Sequence, residues 1–472
     1  MRLGGPSTET VAWRQPEKAS AKGEVHSMHP ERPSPRLVAA VIACFLLPVS
    51  LIPASTGIFF RFPPLPRVWW NTNMIILCSL FALVLRPLLG YSGIQSRSTF
   101  RWFLWPFLLL SAWQSLSITW NDQVREMSRY SLLESICMAA AVSGAVLLTS
   151  GMTYSGRIRL GRSVIVMLAV IVSVYMGLSV VFPSLRPSYE FIDREEIALG
   201  VIRMFGPLGK ATTLLFVLLP CLGFSLGMLF VPGRSKVQWL AMTLLFFVAT
   251  LATGSRGALL CLAGFVLCLG ISLRLRATWF LALLAIVFPL ILLFTGVPER
   301  FRSFGDRGRL ETYATALRAY RDSPRNMVIG VGHGAMYSAL HDITERKLLQ
   351  KGRWHLLTDK NRFGFTLRSS HTAILRTLAE TGAIGFVLLV IPLLWIGKRA
   401  FLHQARIGSD PCGIHAACTL AGCVSVIPYM FLDEFFISGL WVVFLWCFFV
   451  VIGAECQQNA DWARRSGFPA GR

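Results

Sequence analysis

Three groups of residues in this chain combine charge, reach and backbone freedom in ways that could do chemistry. The first is His371, in Ser369-Ser370-His371, where a polar segment runs without a gap into the apolar run 373–396. Either serine could cap the helix expected there, which puts the imidazole in its first turn. A helix N-terminus and nearby arginines both disfavour a positive ring, so His371 is suited to take a proton near neutral pH as a general base. The plainer reading is a polar side chain resting at an interface, and spacing alone favours it.

The second group is arginines. Arg256 lies in Thr253-Gly254-Ser255-Arg256-Gly257, between two apolar runs. An arginine at such a boundary is often a topology marker whose head snorkels to water. Here glycines flank it, so backbone can approach a ligand closely. Guanidinium also offers forked donors and a permanent charge to a phosphate or pyrophosphate. Arg309 could act in the same way, although a single arginine in so basic a stretch is more simply a solvated charge. It opens a segment of helical spacing that runs to Asp322, with Leu310, Tyr313, Ala314, Leu317 and Tyr320 on one face and Pro324 as the stop. Arg203 and Lys210 form a weaker basic pair at the start of another apolar run.

The third group is acidic. Glu380, in Ala379-Glu380-Thr381-Gly382, either pairs with Arg376 at i,i+4 spacing or contributes to a site. Asp433 and Glu434 are runner-up bases. Gly330-Val331-Gly332-His333-Gly334 lacks the Lys-Ser/Thr pair and the preceding strand of a phosphate loop, so it reads as a plain turn with His333 incidental. His333 and His341 have no acidic partner at ligand spacing and there is no HExxH, so neither a metal nor another cofactor is expected.

The elements that must position these residues are membrane spans. Of 472 residues, 54% are hydrophobic and 15% charged, far less charge than a soluble domain carries. Apolar runs fall near 37–57, 68–90, 101–119, 131–150, 163–183, 208–231, 237–253, 256–273, 277–297, 373–396, 413–431 and 437–455. Each suffices for roughly 30 Å of hydrocarbon. The expected fold is therefore all-α: a polytopic transmembrane bundle of about 12 spans with one long periplasmic loop carrying short amphipathic helices.

The expected organisation is a disordered cytoplasmic tail (1–36), nine spans (37–297), the loop (298–371), three more spans (372–456) and a cytoplasmic tail (457–472). Residues 1–36 lack the short apolar core of a signal peptide. Short connections carrying Arg97, then Arg157, Arg159 and Arg162, then Arg234 and Lys236, then Arg274 and Arg276, then Lys398, Arg399 and Arg406 are placed inside by the positive-inside rule. The net charge of +22 is ascribed to such connections and to lipid headgroups, and nucleic acid is not an expected partner. The loop holds fourteen lysines and arginines against seven carboxylates, which suits it to anions. The eleven cysteines include no CxxC pair and read as small buried hydrophobes.

Ser255-Arg256-Gly257, Arg309 with its helix, Gly330-Val331-Gly332, and Ser370-His371 through Ala379-Glu380-Thr381-Gly382-Ala383-Ile384-Gly385 occur in this order. Together they resemble the O-antigen ligase and Wzy-type polymerase superfamily of bacterial envelope glycosyltransferases, over roughly Arg203 to Gly385. The resemblance implies transfer of a glycan from an undecaprenyl-pyrophosphate carrier to an acceptor hydroxyl on the periplasmic face. The acceptor would be lipid A-core for a ligase or another lipid-linked glycan for a polymerase. It also implies an inner-membrane protein with both termini cytoplasmic, needing no nucleotide sugar and no metal. His371, Arg309 and Arg256 would be catalytic, and Arg203, Lys210 and Glu380 substrate-binding. The family commonly has His-Asn at the end of the loop, where this chain has His371-Thr372. The alternative function is a multi-span transporter or flippase of a lipid-linked or anionic glycan. Such a protein should place functional charges near mid-membrane, where candidates such as Glu134 are few.

Overall fold

A computed structural model of the full chain describes residues 97–120, 125–150, 154–181, 211–232, 235–253, 256–274, 307–335, 372–402, 411–431 and 440–465. Among these residues the protein is all-helical, with no strand. The helices are α1 (Trp105–Ser117), α2 (Arg125–Thr149), α3 (Tyr154–Val181), α4 (Ala211–Met228), α5 (Lys236–Ala252), α6 (Arg256–Ser272), α7 (Arg307–Arg321), α8 (Pro324–Ile329), α9 (Ala373–Leu402), α10 (Pro411–Ser425) and α11 (Leu440–Arg465). The expected runs 37–57, 68–90 and 277–297 lie outside the described residues.

Local chemistry sets several boundaries. Before α1 the chain passes through a π-helical segment, Phe100–Leu104. Pro106 follows and has no N–H to return to the preceding turn, so the helical pattern widens there. Ser235 caps α5 by accepting from the amide of Gln238. Thr253 sits in the break between α5 and α6, where its hydroxyl donates to the carbonyl of Thr250 at 2.8 Å.

At the centre of the bundle α10 packs on α4, α6 and α11. Residues Gly413 to Ser425 of α10 are all buried. Its approach to α4 is close because glycines meet carbonyls from both sides. A methyl at Gly422 would strike the Leu219 carbonyl, and one at Gly223 the Cys418 carbonyl. Small residues at helix contacts are how bundles gain dispersion contacts without a hydrophobic driving force. The cysteines whose side chains are described are free thiols, all buried except the half-buried Cys412.

The outside of the bundle carries exposed apolar stripes. Trp102, Trp105, Leu109 and Leu116 are exposed along one line, Val237, Leu240, Leu244 and Val248 along another, and Ile384, Val387 and Leu394 along a third. Water would penalise such stripes, whereas a hydrocarbon solvent accepts them. Ala373–Phe401 and Pro411–Met430 are long and apolar enough to cross a membrane, and five shorter apolar helices accompany them.

Two polar clusters mark opposite ends of the bundle. At one end, Arg157 at the start of α3 meets Glu455 of α11 and the Thr149 carbonyl, while Thr99 donates to Glu455. There too Ser272 donates to the carbonyl of Ala400. At the other end, the close of α1, α8, the glycine turn and the first third of α9 come together.

Candidate functional site

The second cluster is built on a broken helix. α9 is two helical segments joined at a kink, where Gly382 has φ 65° and ψ −165°. Only glycine adopts that combination readily. Carbonyls just before such a break lose their regular partners and need others. They find them in remote parts of the chain. The amide of Val331 donates to Ala379 at 3.0 Å and that of Gly332 to Glu380 at 2.9 Å. The indole N–H of Trp113 donates to the carbonyl of Thr381 at 3.0 Å. The glycine turn thus caps the break in α9 from the side. Gly330 has φ 80° and would strike Glu380 backbone if it carried a Cβ, while a Cβ at Gly382 would strike the Val328 carbonyl.

Side chains reinforce the backbone contact. Nδ1 of His333 is 2.8 Å from Oε2 of Glu380, and Nε of Arg376 donates to Oε1 at 3.0 Å. His333 and Glu380 are 3% and 2% exposed. A carboxylate so deeply buried requires partners on both oxygens, and it has them. The amide of His333 in turn donates to Oγ of Ser117 at the end of α1. Trp113 and Trp120 pack beside this end with ring centroids 5.6 Å apart.

Several expectations change here. His333 is not incidental: what reads in the sequence as a plain turn delivers it onto a buried carboxylate. The signal that could have found it is Glu380 itself, an acid in an apolar run that demands a partner. The i,i+4 pairing of Glu380 with Arg376 is present. With both oxygens engaged inside the protein, Glu380 stands as an internal partner of the loop. The cap of α9 is Thr372, not Ser369 or Ser370: its Oγ1 accepts from the amide of Leu375 at 3.0 Å. His371 precedes this cap in sequence and is itself outside the described residues.

α7 ends at Arg321, before Pro324 as expected, and Pro324 also opens a second helix. That helix, α8, is capped by Ser323 Oγ, which accepts from Asn326. The buried face of α7 is rotated from the expected one. Ala314 is exposed, whereas Ala316 and Ala319 are buried. Small residues let α7 lie close on α9, which it packs against together with α8.

Of the remaining expected site residues, Arg256 is the first residue of α6 and Arg309 lies in the first turn of α7. Beside Arg256, the ring of Tyr429 closes over Gly257, where no Cβ would fit. Arg203 and Lys210 lie outside the described residues, as do the runner-up bases Asp433 and Glu434.

Residues 241–390 match the O-antigen ligase family model. The matched stretch holds α5 to α8, the glycine turn and the first half of α9. It contains Arg256, Arg309, His371 and Glu380, while Arg203 and Lys210 precede it. No curated protein matches the chain. The O-antigen ligase match supports glycan transfer of the ligase or polymerase kind, on lipid-linked glycans, in a membrane.

Proposed function

We propose that the chain is a multi-pass glycosyltransferase of the bacterial inner membrane. It moves a glycan from an undecaprenyl-pyrophosphate carrier to an acceptor hydroxyl on the periplasmic face. His371 takes the hydroxyl proton as the acceptor oxygen bonds to the anomeric carbon. The bond from that carbon to the pyrophosphate oxygen breaks, and its electron pair leaves with the pyrophosphate. Arg256 and Arg309 hold and neutralise this leaving group, supplying electrostatically what a divalent ion supplies elsewhere. Arg203 and Lys210 add positive charge on the donor side. The acceptor is lipid A-core or a second lipid-linked glycan.

The observation that carries this reading is the O-antigen ligase match over residues 241–390. Support comes from where the backbone puts the two arginines: each lies in the first turn of its helix, where free amides favour an anion. The sequence position of His371, directly before the cap of a helix latched to the loop, also suits a positioned base.

A deletion strain analysed by surface-glycan gel tests the function. Loss of capped lipopolysaccharide with long chains left on the carrier identifies a ligase. A single repeat still attached identifies a polymerase of lipopolysaccharide, and a missing secreted polymer one of exopolysaccharide. His371→Ala and Arg309→Ala should each abolish the product while the protein stays in the membrane. Wild-type product from both variants rejects the assigned residues.

A further inference from the structure

We propose that the elbow between α7 and α8 is a docking surface for the acidic phospholipid headgroups of the bilayer that the protein itself spans. This goes beyond glycan transfer and does not depend on it.

The elbow is rigid. Ser323 caps α8, and Nδ2 of Asn326 reaches back to the carbonyl of Ala319 at 3.2 Å. Its inner side is spent on α9 through Ala316 and Ala319. Its outer side carries Met327 and Val328, exposed by 41% and 52%, and Arg318, Arg321 and Arg325 are exposed on the same two helices. Asp322 is the exposed carboxylate among them, so the patch is net basic. An exposed apolar pair on helices that also expose three arginines is costly to leave in water and fits a surface that is greasy below and anionic above.

The height of the elbow along the bundle identifies that surface. Two contacts fix it. The Val328 carbonyl lies against Gly382, two residues before Ile384 opens the exposed apolar stripe of α9. The amide of His333 lies on Ser117, next to Leu116, where the exposed stripe of α1 closes. Met327 and Val328 thus sit level with the end of the lipid-facing stripes, where hydrocarbon gives way to headgroups. At that depth the pair reaches acyl chains and the arginines reach phosphates.

The test uses the full chain in vesicles of equal acidic (phosphatidylglycerol) and zwitterionic (phosphatidylethanolamine) lipid. Met327 is replaced by p-benzoylphenylalanine, irradiated, and the adduct is identified by mass spectrometry. The expected adduct is phospholipid, enriched for the acidic headgroup by on the order of fivefold per engaged arginine. Arg318→Gln, Arg321→Gln and Arg325→Gln together should abolish the enrichment while leaving the adduct. Molar salt should weaken it without any of these three substitutions. An adduct to a second copy of the chain or to another protein, no adduct, or equal labelling of the two lipids would overturn the proposal.

Discussion

Each end of the bundle buries one carboxylate against an arginine, and the two are assembled differently. Glu455 takes its partners from other helical segments: Arg157 from the start of α3 at 3.2 Å and Thr99 from the stretch before α1 at 2.8 Å. Among the described residues, nothing in that cluster comes from the loop. Glu380 takes Arg376 from its own helix, and its second partner, His333, arrives on a glycine turn. The first cluster forms when the helices pack. The second forms when the loop seats. One end is a fixed weld and the other a latch, and the latch's His333, Arg376 and Glu380 lie in the stretch that matches the O-antigen ligase family model.

Removing Arg157 breaks the comparison most severely. Arg157→Ala leaves Glu455 buried with one hydroxyl, which costs about 3–5 kcal/mol. Thermal unfolding of the purified protein in detergent should show a large drop in Tm, and membrane yield should fall with it. A Tm equal to that of the unsubstituted chain would mean that Glu455 is no weld.

Gly382→Ala should cost less globally and more locally. A non-glycine residue at φ 65°, ψ −165° is strained by about 1–3 kcal/mol, and its Cβ meets the Val328 carbonyl. Relief comes from unseating α8 and the glycine turn. Limited proteolysis should therefore cut the segment 298–371 faster, and product should fall. Loss of the whole fold at the same protease dose would remove the distinction between weld and latch.

His333→Ala withdraws a single partner and leaves Arg376 on Glu380, a loss of about 1–3 kcal/mol. Amide exchange should rise around Val331 and Gly332, whose donors cap α9, and stay unchanged around Thr99 and Arg157. Exchange that rises equally at both ends would show one cooperative unit in place of two.

These asymmetries explain what the sequence reveals and what it hides. Apolar helices are written in composition and length, so α1 to α6 and α9 to α11 fall on the apolar runs. α5 ends at Ala252 and α6 starts at Arg256, as the interruption of the apolar pattern between the two runs predicts. The weld is hidden: Arg157 looks like a topology marker beside Arg159 and Arg162, and its partner is 298 residues away. The latch is hidden for a different reason. A turn has no period, and His333 is 47 residues from its acid. The face of α7 is misread because large residues carry the hydrophobic pattern while the contact itself selects Ala316 and Ala319.

The smallest effect sharpens the comparison at the point nearest the proposed base. His-Asn is common in the related family, and this chain has Thr372 after His371. In the structure the Thr372 hydroxyl accepts from the amide of Leu375. Asparagine caps a helix at least as well as threonine, whereas alanine cannot. If capping is the job at this position, Thr372→Asn should leave Tm and product unchanged. Thr372→Ala should cost about 1 kcal/mol and lower product in proportion to the fraying of the first turn of α9. If the side chain instead contacts the acceptor, Thr372→Asn should shift KM with Tm constant, and the residue would move from the latch to the substrate. The hydroxyl is buried, and its bond to Leu375 already orders the turn that leads to Arg376 and Glu380. Capping accounts for both residue types with one geometry, so the exchange of asparagine for threonine leaves the latch intact.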